Sequence, residues 1–166
     1  MLNPWRWPPR LLFFLGFLAC LGLLAYALYA DHVLGLEPCP LCIVQRVFFI
    51  LMGAVFLVAA MHRAGRFARG LYGVLGFLFA SAGAITAGRH VYLQSLPPDQ
   101  VPECGPGLAY MLEAFPLRKV VEMVFTGSGE CAKVDWTFLG LSMPAWTLIW
   151  FGLLGLLALR AGFARR

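Results

Sequence analysis

Two cysteines stand two residues apart in the stretch EPCPLCIVQR, residues 37 to 46, and an arginine follows the second by four positions. A thiol pair at this spacing can cycle between dithiol and disulfide. The prolines Pro38 and Pro40 do not belong in a helix interior, so a helix is expected to begin close to Cys42. Exposed N–H groups and the dipole at a helix start favour a thiolate there. Arg46 falls on the same helical face, one turn on. Both influences act more on Cys42 than on Cys39, which makes Cys42 the expected stabilised thiolate and Cys39 the sulfur that exchanges with incoming thiols. Two plainer roles compete. An arginine at this depth can snorkel to lipid headgroups, and a CxxC can be half of a zinc site, which would need two further ligands at a fixed distance. No metal is expected.

Three more cysteines are present. Cys104 lies in the Pro-rich segment LPPDQVPECGPG (96 to 107), which cannot be helical, and Cys131 lies in the Gly-rich TGSGECAKVDW. Proximity in sequence suggests pairing Cys39 with Cys42 and Cys104 with Cys131. On the chain-entropy model the longer loop would gain roughly 3 to 4 kcal/mol and the tight ring about 2 kcal/mol. The first suits a structural staple; the second has little structural reason to exist and suits redox chemistry. Cys20 sits in the middle of an apolar run, where small-residue packing is the expected role.

The elements that must position these thiols follow from composition. Of the 166 residues 61% are hydrophobic and 13% charged, with a mean hydropathy of +0.79, far from the mix of a soluble domain. Four runs are long and apolar enough to cross a bilayer: 11–30, 41–61, 71–88 and 143–159. The first is too long for a signal-peptide core and lacks a small-x-small cleavage site, so it is read as a span. Arg6, Arg10, Arg63, Arg66, Arg69, Arg160, Arg165 and Arg166 fall in the terminal segments and in 62–70, without an acid among them. All eight acids fall in 31–40 and 89–142. Basic span ends stay in the cytoplasm. The expected fold is therefore an all-α, four-helix transmembrane bundle forming one domain, with both termini and loop 62–70 cytoplasmic, and with a short loop (31–40) and a long one (89–142) facing outward. The net charge of +5 is a topology signal and gives no nucleic-acid surface. Cys39, Cys42, Cys104 and Cys131 then share the outward side, and an oxidising space there would pair them.

Within the long outward segment, LAYMLEAFPLRKVVEMVF (108–125) is too charged to span and reads as short amphipathic pieces on the membrane surface, broken at Pro116. Pro144 suits the first turn of the last span. Arg89 and His90 follow the third span, where His90 is a candidate hydrogen-bonding group; His32 and His62 are read as bystanders. Gly76, Ala80, Ala84 and Gly88 recur every fourth residue, a stripe for close helix packing. Trp5, Trp7, Trp136 and Trp146 form an interfacial belt.

Taken together these residues resemble the disulfide bond formation protein B family, DsbB. The resemblance rests on CPLC followed by Gln45-Arg46 at the start of the second span, Arg89-His90 after the third, a cysteine pair in the second outward loop, and SGECA with WTFLGLSMPAW before the fourth. It covers the chain from the first span onward. It implies a multi-pass protein of the bacterial inner membrane with its active cysteines on the periplasmic side. Such a protein reoxidises a soluble, thioredoxin-fold oxidase of the DsbA type and passes the electrons to a membrane quinone, ubiquinone or menaquinone. Carried onto this sequence, it makes Cys104 the residue that forms the mixed disulfide with the oxidase and Cys131 its loop partner, so that this pair is redox-active and no mere staple. Cys39 and Cys42 reoxidise the loop pair, Cys42 faces the quinone ring, and Arg46, with His90 assisting, holds the quinone. The nearest rival is a vitamin K epoxide reductase-like protein, whose CxxC lies near the end of its bundle. From another class, the cysteines could be structural or bind zinc in a membrane-anchored interaction module.

Overall fold

A computed structural model describes residues 7–97, 99–102 and 108–164. Its elements in chain order are α1 (Pro9–His32), α2 (Pro40–Met61), α3 (Arg66–Gln94), α4 (Leu108–Ala114), α5 (Leu117–Thr126), the single turn α6 (Gly129–Ala132), a hairpin of β1 (Thr137–Phe138) and β2 (Leu141–Ser142), and α7 (Met143–Phe163). The long helices α1, α2, α3 and α7 are each long and apolar enough to cross a membrane. Proline opens three of them, Pro9, Pro40 and Pro144. At a first turn its missing N–H costs nothing and its fixed φ suits the helix.

The apolar runs mark the cores of these helices and not their ends. The run 71–88 lies inside α3, which continues through Arg89 and His90 to Gln94. Charge ends an apolar run, but nothing from 71 to 94 breaks a helix. His90 is therefore a buried helical residue, and the arginine-rich connection from α2 to α3 shrinks to 62–65.

Packing is closest between α3 and α7. A Cβ on Gly73 would sit 2.8 Å from the Ala158 carbonyl oxygen and 2.8 Å from Gly162 Cα, so the two backbones touch with no side chain between them. Farther along, the Phe151 ring occupies the space beside Gly83 and stacks on Phe49 of α2 at 4.1 Å between centroids. The buried line of α3 runs Gly73, Gly76, Ala80, Gly83, Ala87, His90. The expected every-fourth stripe departs from this after Ala80, because steps of four advance 40° beyond a full turn and wind off the contact face. Gly88, the end of that stripe, has open space beside it. Phe13, Phe49, Met52, Phe56, Phe151 and Leu154 form the bundle core, together with Cys20, which is 1% exposed and packs against Gly53. The outer faces are apolar, with Leu28, Ile50, Leu78, Ile85 and Leu156 exposed. In water that surface would aggregate; against lipid chains it is at home.

The segment between α3 and α7 forms a cap. Val120 and Val124, one turn apart on α5, bury with Met111 against Leu41, Leu93, Cys39 and Cys131, a second and smaller core. The cap is also tied to α3 by side chains reaching carbonyls: Arg89 donates to Phe125 and Thr126 (3.1 and 3.0 Å) and Gln94 to Lys133 (3.2 Å). Gly127 has φ +87, and a Cβ there would meet Leu93 at 2.4 Å. Only glycine can turn the chain so close to α3. The hairpin departs from the all-α expectation. Its two-residue loop, Leu139-Gly140, takes positive φ at both positions, the geometry that matches strand twist. Trp146 Nε1 donates to the Phe138 carbonyl at 3.0 Å, which fixes the hairpin to α7.

Candidate active site

Cys39 is the N-cap of α2, and its sulfur accepts from the Cys42 N–H at 3.4 Å. The spacing has a local cause: a cap residue bonds the N–H of the third helical position, and CxxC places the second thiol at that position. The two Sγ atoms lie 3.1 Å apart. A bond would be about 2.05 Å, so this is a dithiol with its sulfurs in hydrogen-bond contact. Both sulfurs crowd the N-terminus of α2, where the helix dipole favours negative charge.

Five further side chains surround the pair. His90 enters from α3 with Nε2 3.8 Å from Cys39 Sγ and Nδ1 4.0 Å from Cys42 Sγ. Gln45 Nε2 lies 3.2 Å from His90 Nδ1, and Thr147 Oγ1 of α7 lies 2.6 Å from Gln45 Oε1. Arg46 makes a two-pronged ion pair with Asp31 in the last turn of α1, Nη2 to Oδ1 at 2.7 Å and Nη1 to Oδ2, and Nη2 also approaches the Ala27 carbonyl.

Cys131 comes from the cap. The turn α6 buries it against Cys39 and Leu41, with its N–H on the Ser128 carbonyl at 2.9 Å and its sulfur 3.7 Å from Ser128 Oγ. Hydrogen-bond contact with Cys39, and then burial, push the Cys131 thiol well above the ordinary thiol range. Cys104 lies outside the described residues. The structure thus brings the Cys39–Cys42 pair, Arg46, His90 and Cys131 together, and Cys131 stands next to Cys39.

Two adjoining openings reach the dithiol, with Cys42 and Arg46 in the walls of both. An apolar cavity of about 300 Å³ is bounded by Cys42, Arg46, Phe49, Trp136, Phe138 and Trp146. A flat apolar ring bearing carbonyls would find there aromatic walls, one thiol and one guanidinium. His90 and Cys39 do not line it. A smaller and more polar opening touches Cys39, Cys42, His90, Gln94, Glu130 and Lys133. Cys39, Cys42 and His90 also offer three metal donors within 4.8 Å of one another. Yet a different ring nitrogen faces each sulfur, an arrangement made for hydrogen bonding and poorly suited to closing one tetrahedral centre.

The DsbB family model, described as disulfide bond formation protein DsbB, matches residues 9–161. The chain belongs to the DsbB family. Among curated relatives named disulfide bond formation protein B, that of Hahella chejuensis is 55% identical over 142 residues, 86% of each chain. That of Nitrosococcus oceani is 54% identical over 150 residues, covering 90% of this chain and 89% of its own. That of Xanthomonas campestris pv. campestris is 50% identical over 166 residues, 99% of this chain and 96% of its own.

Three residues of this DsbB-family site were not singled out by sequence reasoning. Asp31 was one of eight acids; a charge one turn inside an apolar run needs a partner, and Asp31 at the end of the neighbouring span was there to supply it. Gln45 entered only as part of the family resemblance. Thr147, a polar residue in the first turn of an apolar helix, gave the weakest signal.

Proposed function

We propose that the chain is a membrane thiol oxidase that takes electron pairs from a soluble, thioredoxin-fold dithiol oxidase of the DsbA type and passes them to a membrane quinone, ubiquinone or menaquinone. One observation carries the reading: the dithiol lies between a polar opening and an apolar, cation-bearing cavity, and Cys42 is the cysteine that faces the cavity. An electron donor dissolved in water and an acceptor dissolved in lipid can meet only across such a pair.

The cavity fits a quinone, which when bound supplies a two-electron acceptor. The protein's own residues do the rest. A thiolate of the reduced partner attacks Cys104 of a Cys104–Cys131 bridge; the S–S bond breaks and its electron pair leaves on Cys131. Cys131, adjacent to Cys39, attacks that sulfur in the Cys39–Cys42 bridge, and Cys42 departs as a thiolate at the α2 N-terminus. The partner's second thiol breaks its mixed disulfide with Cys104, leaving the partner oxidised and Cys104 free as a thiolate. Cys104 then attacks Cys131 in the Cys39–Cys131 bridge, which closes the loop pair again and leaves Cys39 and Cys42 reduced. Arg46 carries positive charge to the cavity wall, where charge develops as electrons leave Cys42. Asp31 holds the guanidinium in place.

The arginines gathered at the other end of the bundle support an orientation with both termini in the cytoplasm and the site on the periplasmic side of the inner membrane. The test is anaerobic mixing of detergent-solubilised protein with reduced DsbA-type oxidase and a soluble quinone analogue, followed in the ultraviolet. Wild type is expected to reduce the quinone, and Cys42→Ser and Cys104→Ser are not. Absence of reduction by folded wild type, with zinc held by Cys39, Cys42 and His90, would replace this reading with a metal-binding module.

A further inference from the structure

The hydrogen bonds around His90 have a direction that interatomic distances fix. Thr147 Oγ1 and Gln45 Oε1 are 2.6 Å apart, within the O–H···O range and shorter than an N–H···O bond normally runs. The amide oxygen of Gln45 therefore faces Thr147, although the same hydroxyl has a second acceptor in the Pro144 carbonyl at 2.9 Å. That leaves the amide nitrogen on His90 Nδ1 at 3.2 Å. A nitrogen that accepts carries no hydrogen, so the neutral ring bears its proton on Nε2, the atom facing Cys39 Sγ at 3.8 Å. Cys39 in turn donates to Cys42 Sγ at 3.1 Å. Gln45 and His90 are each 3% exposed, so water is a poor substitute for either partner. Cys42, near Nδ1, and Cys131, through its thiol and its main chain, also face the ring.

We propose that Gln45 and Thr147 are positioning residues that hold His90 as its Nε2–H tautomer, so that one run of donors passes from Thr147 through Gln45, His90 and Cys39 and ends on the Cys42 sulfur. The proposal deepens the oxidase reading and rests on it for the role of Cys42; the tautomer does not depend on it. The last donor in the run is the Cys39 thiol, and it ends on Cys42, which favours charge on that sulfur. The direction also governs the proton. When the Cys39–Cys42 bridge forms, one S–H bond breaks at Cys39 and an electron pair leaves Cys42 for the quinone. His90 Nε2 already holds a hydrogen and cannot receive the Cys39 proton, so that proton leaves by the polar opening that Cys39 lines.

The test uses full-length reduced protein in detergent, without quinone, labelled with ¹⁵N-histidine; the His90 signals are assigned by their loss in His90→Asn. Hydrogen on Nε2 and a bare Nδ1 are expected in wild type and in Thr147→Ser, and hydrogen moving to Nδ1 in a substantial share of molecules in Thr147→Val. A second readout is the equilibrium of the Cys39–Cys42 couple with dithiothreitol, in a Cys104→Ser, Cys131→Ser background. Losing the donor run should shift it about fivefold toward the disulfide in Thr147→Val and Gln45→Leu, as expected for weakening one hydrogen bond to a charged group. Thr147→Ser should stay at the wild-type value. Hydrogen on His90 Nδ1 in wild type, alone or as imidazolium, would overturn the proposal, as would a Thr147→Val protein unchanged in both readouts. Failure of quinone reduction with these readouts as expected would remove the oxidase reading and leave the positioning intact.

Discussion

The α3–α7 seam and the cap over it are built on opposite plans. Along the seam, backbone meets backbone, with Gly73 against Ala158 and Gly162 and Gly83 under the Phe151 ring. Nothing there has room to shift. The cap is held to the end of α3 by a small apolar cluster and by side chains reaching carbonyls, Arg89 to Phe125 and Thr126 and Gln94 to Lys133. The thiols sit where the two plans meet: Cys39 and Cys42 on a bundle helix, Cys131 on the cap. A bundle that holds still can keep Cys42, Arg46 and the apolar cavity in register. A lightly held cap can bring Cys131 to Cys39 and withdraw it.

The comparison is broken most severely from the seam. Gly73→Val should prevent assembly of α3 on α7, because the neighbours of the new side chain are backbone atoms that cannot give way. Overpacking of this kind costs upwards of about 3 kcal/mol, and a fall in thermal stability of the whole bundle, cap included, is the expected result in detergent. A variant that melts like wild type would mean that the helices can part without loss. Next comes Leu93→Ala. Leu93 is fully buried under the cap, and its loss should cost about 3 kcal/mol, falling on the cap while bundle melting stays near wild type. Faster alkylation of Cys131 with unchanged exchange protection in α2 would establish that division; equal losses in both regions would show one cooperative unit.

The smallest effect sharpens the comparison and is read by pH. Cys131 has its thiol pKa raised by contact with Cys39 and by burial, whereas an unfolded thiol ionises near about 8.5. The seated cap holds this proton more tightly than the released cap does. The resulting stability is fully present below about pH 8.5 and is lost progressively above it, toward the raised native value. Hydrogen exchange in α5 and α6 should therefore speed up between neutral and alkaline pH beyond its intrinsic rise, and Cys131→Ala should abolish the excess. No excess in wild type would mean that Cys131 is as exposed to titration in the seated cap as in the free chain.

Much of this architecture is legible in the sequence because lipid imposes a simple rule: long apolar runs such as 11–30 and 41–61 become helices, and prolines mark their starts. The same rule misplaces the end of α3, since Arg89 and His90 stop an apolar run but leave the helix free to continue to Gln94. The hairpin escapes notice because its turn uses Leu139 at positive φ, where Asn or Asp would have advertised it. The site divides in the same way. CPLCIVQR reports its own local geometry, a cap thiol and a third-position thiol, because both residues lie within one turn. The meetings of Arg46 with Asp31, of His90 with Gln45 and of Cys131 with Cys39 join different elements, and no spacing in the chain encodes them. Sequence proximity suggested a Cys131–Cys104 pair; the fold adds Cys39 as a neighbour of Cys131.

Cys20 has a consequence of a different kind. Thiols in exchange form bonds two at a time, so a pool with an odd number always leaves one partner stranded. Five cysteines would make such a pool. Walled in beside Gly53 at the centre of the bundle, Cys20 is removed from the count, and the thiols left to trade with one another are even in number. In the proposed relay, parity would thus be set by a packing contact in the middle of the bundle, away from the sulfurs that it keeps clear of a dead-end bridge.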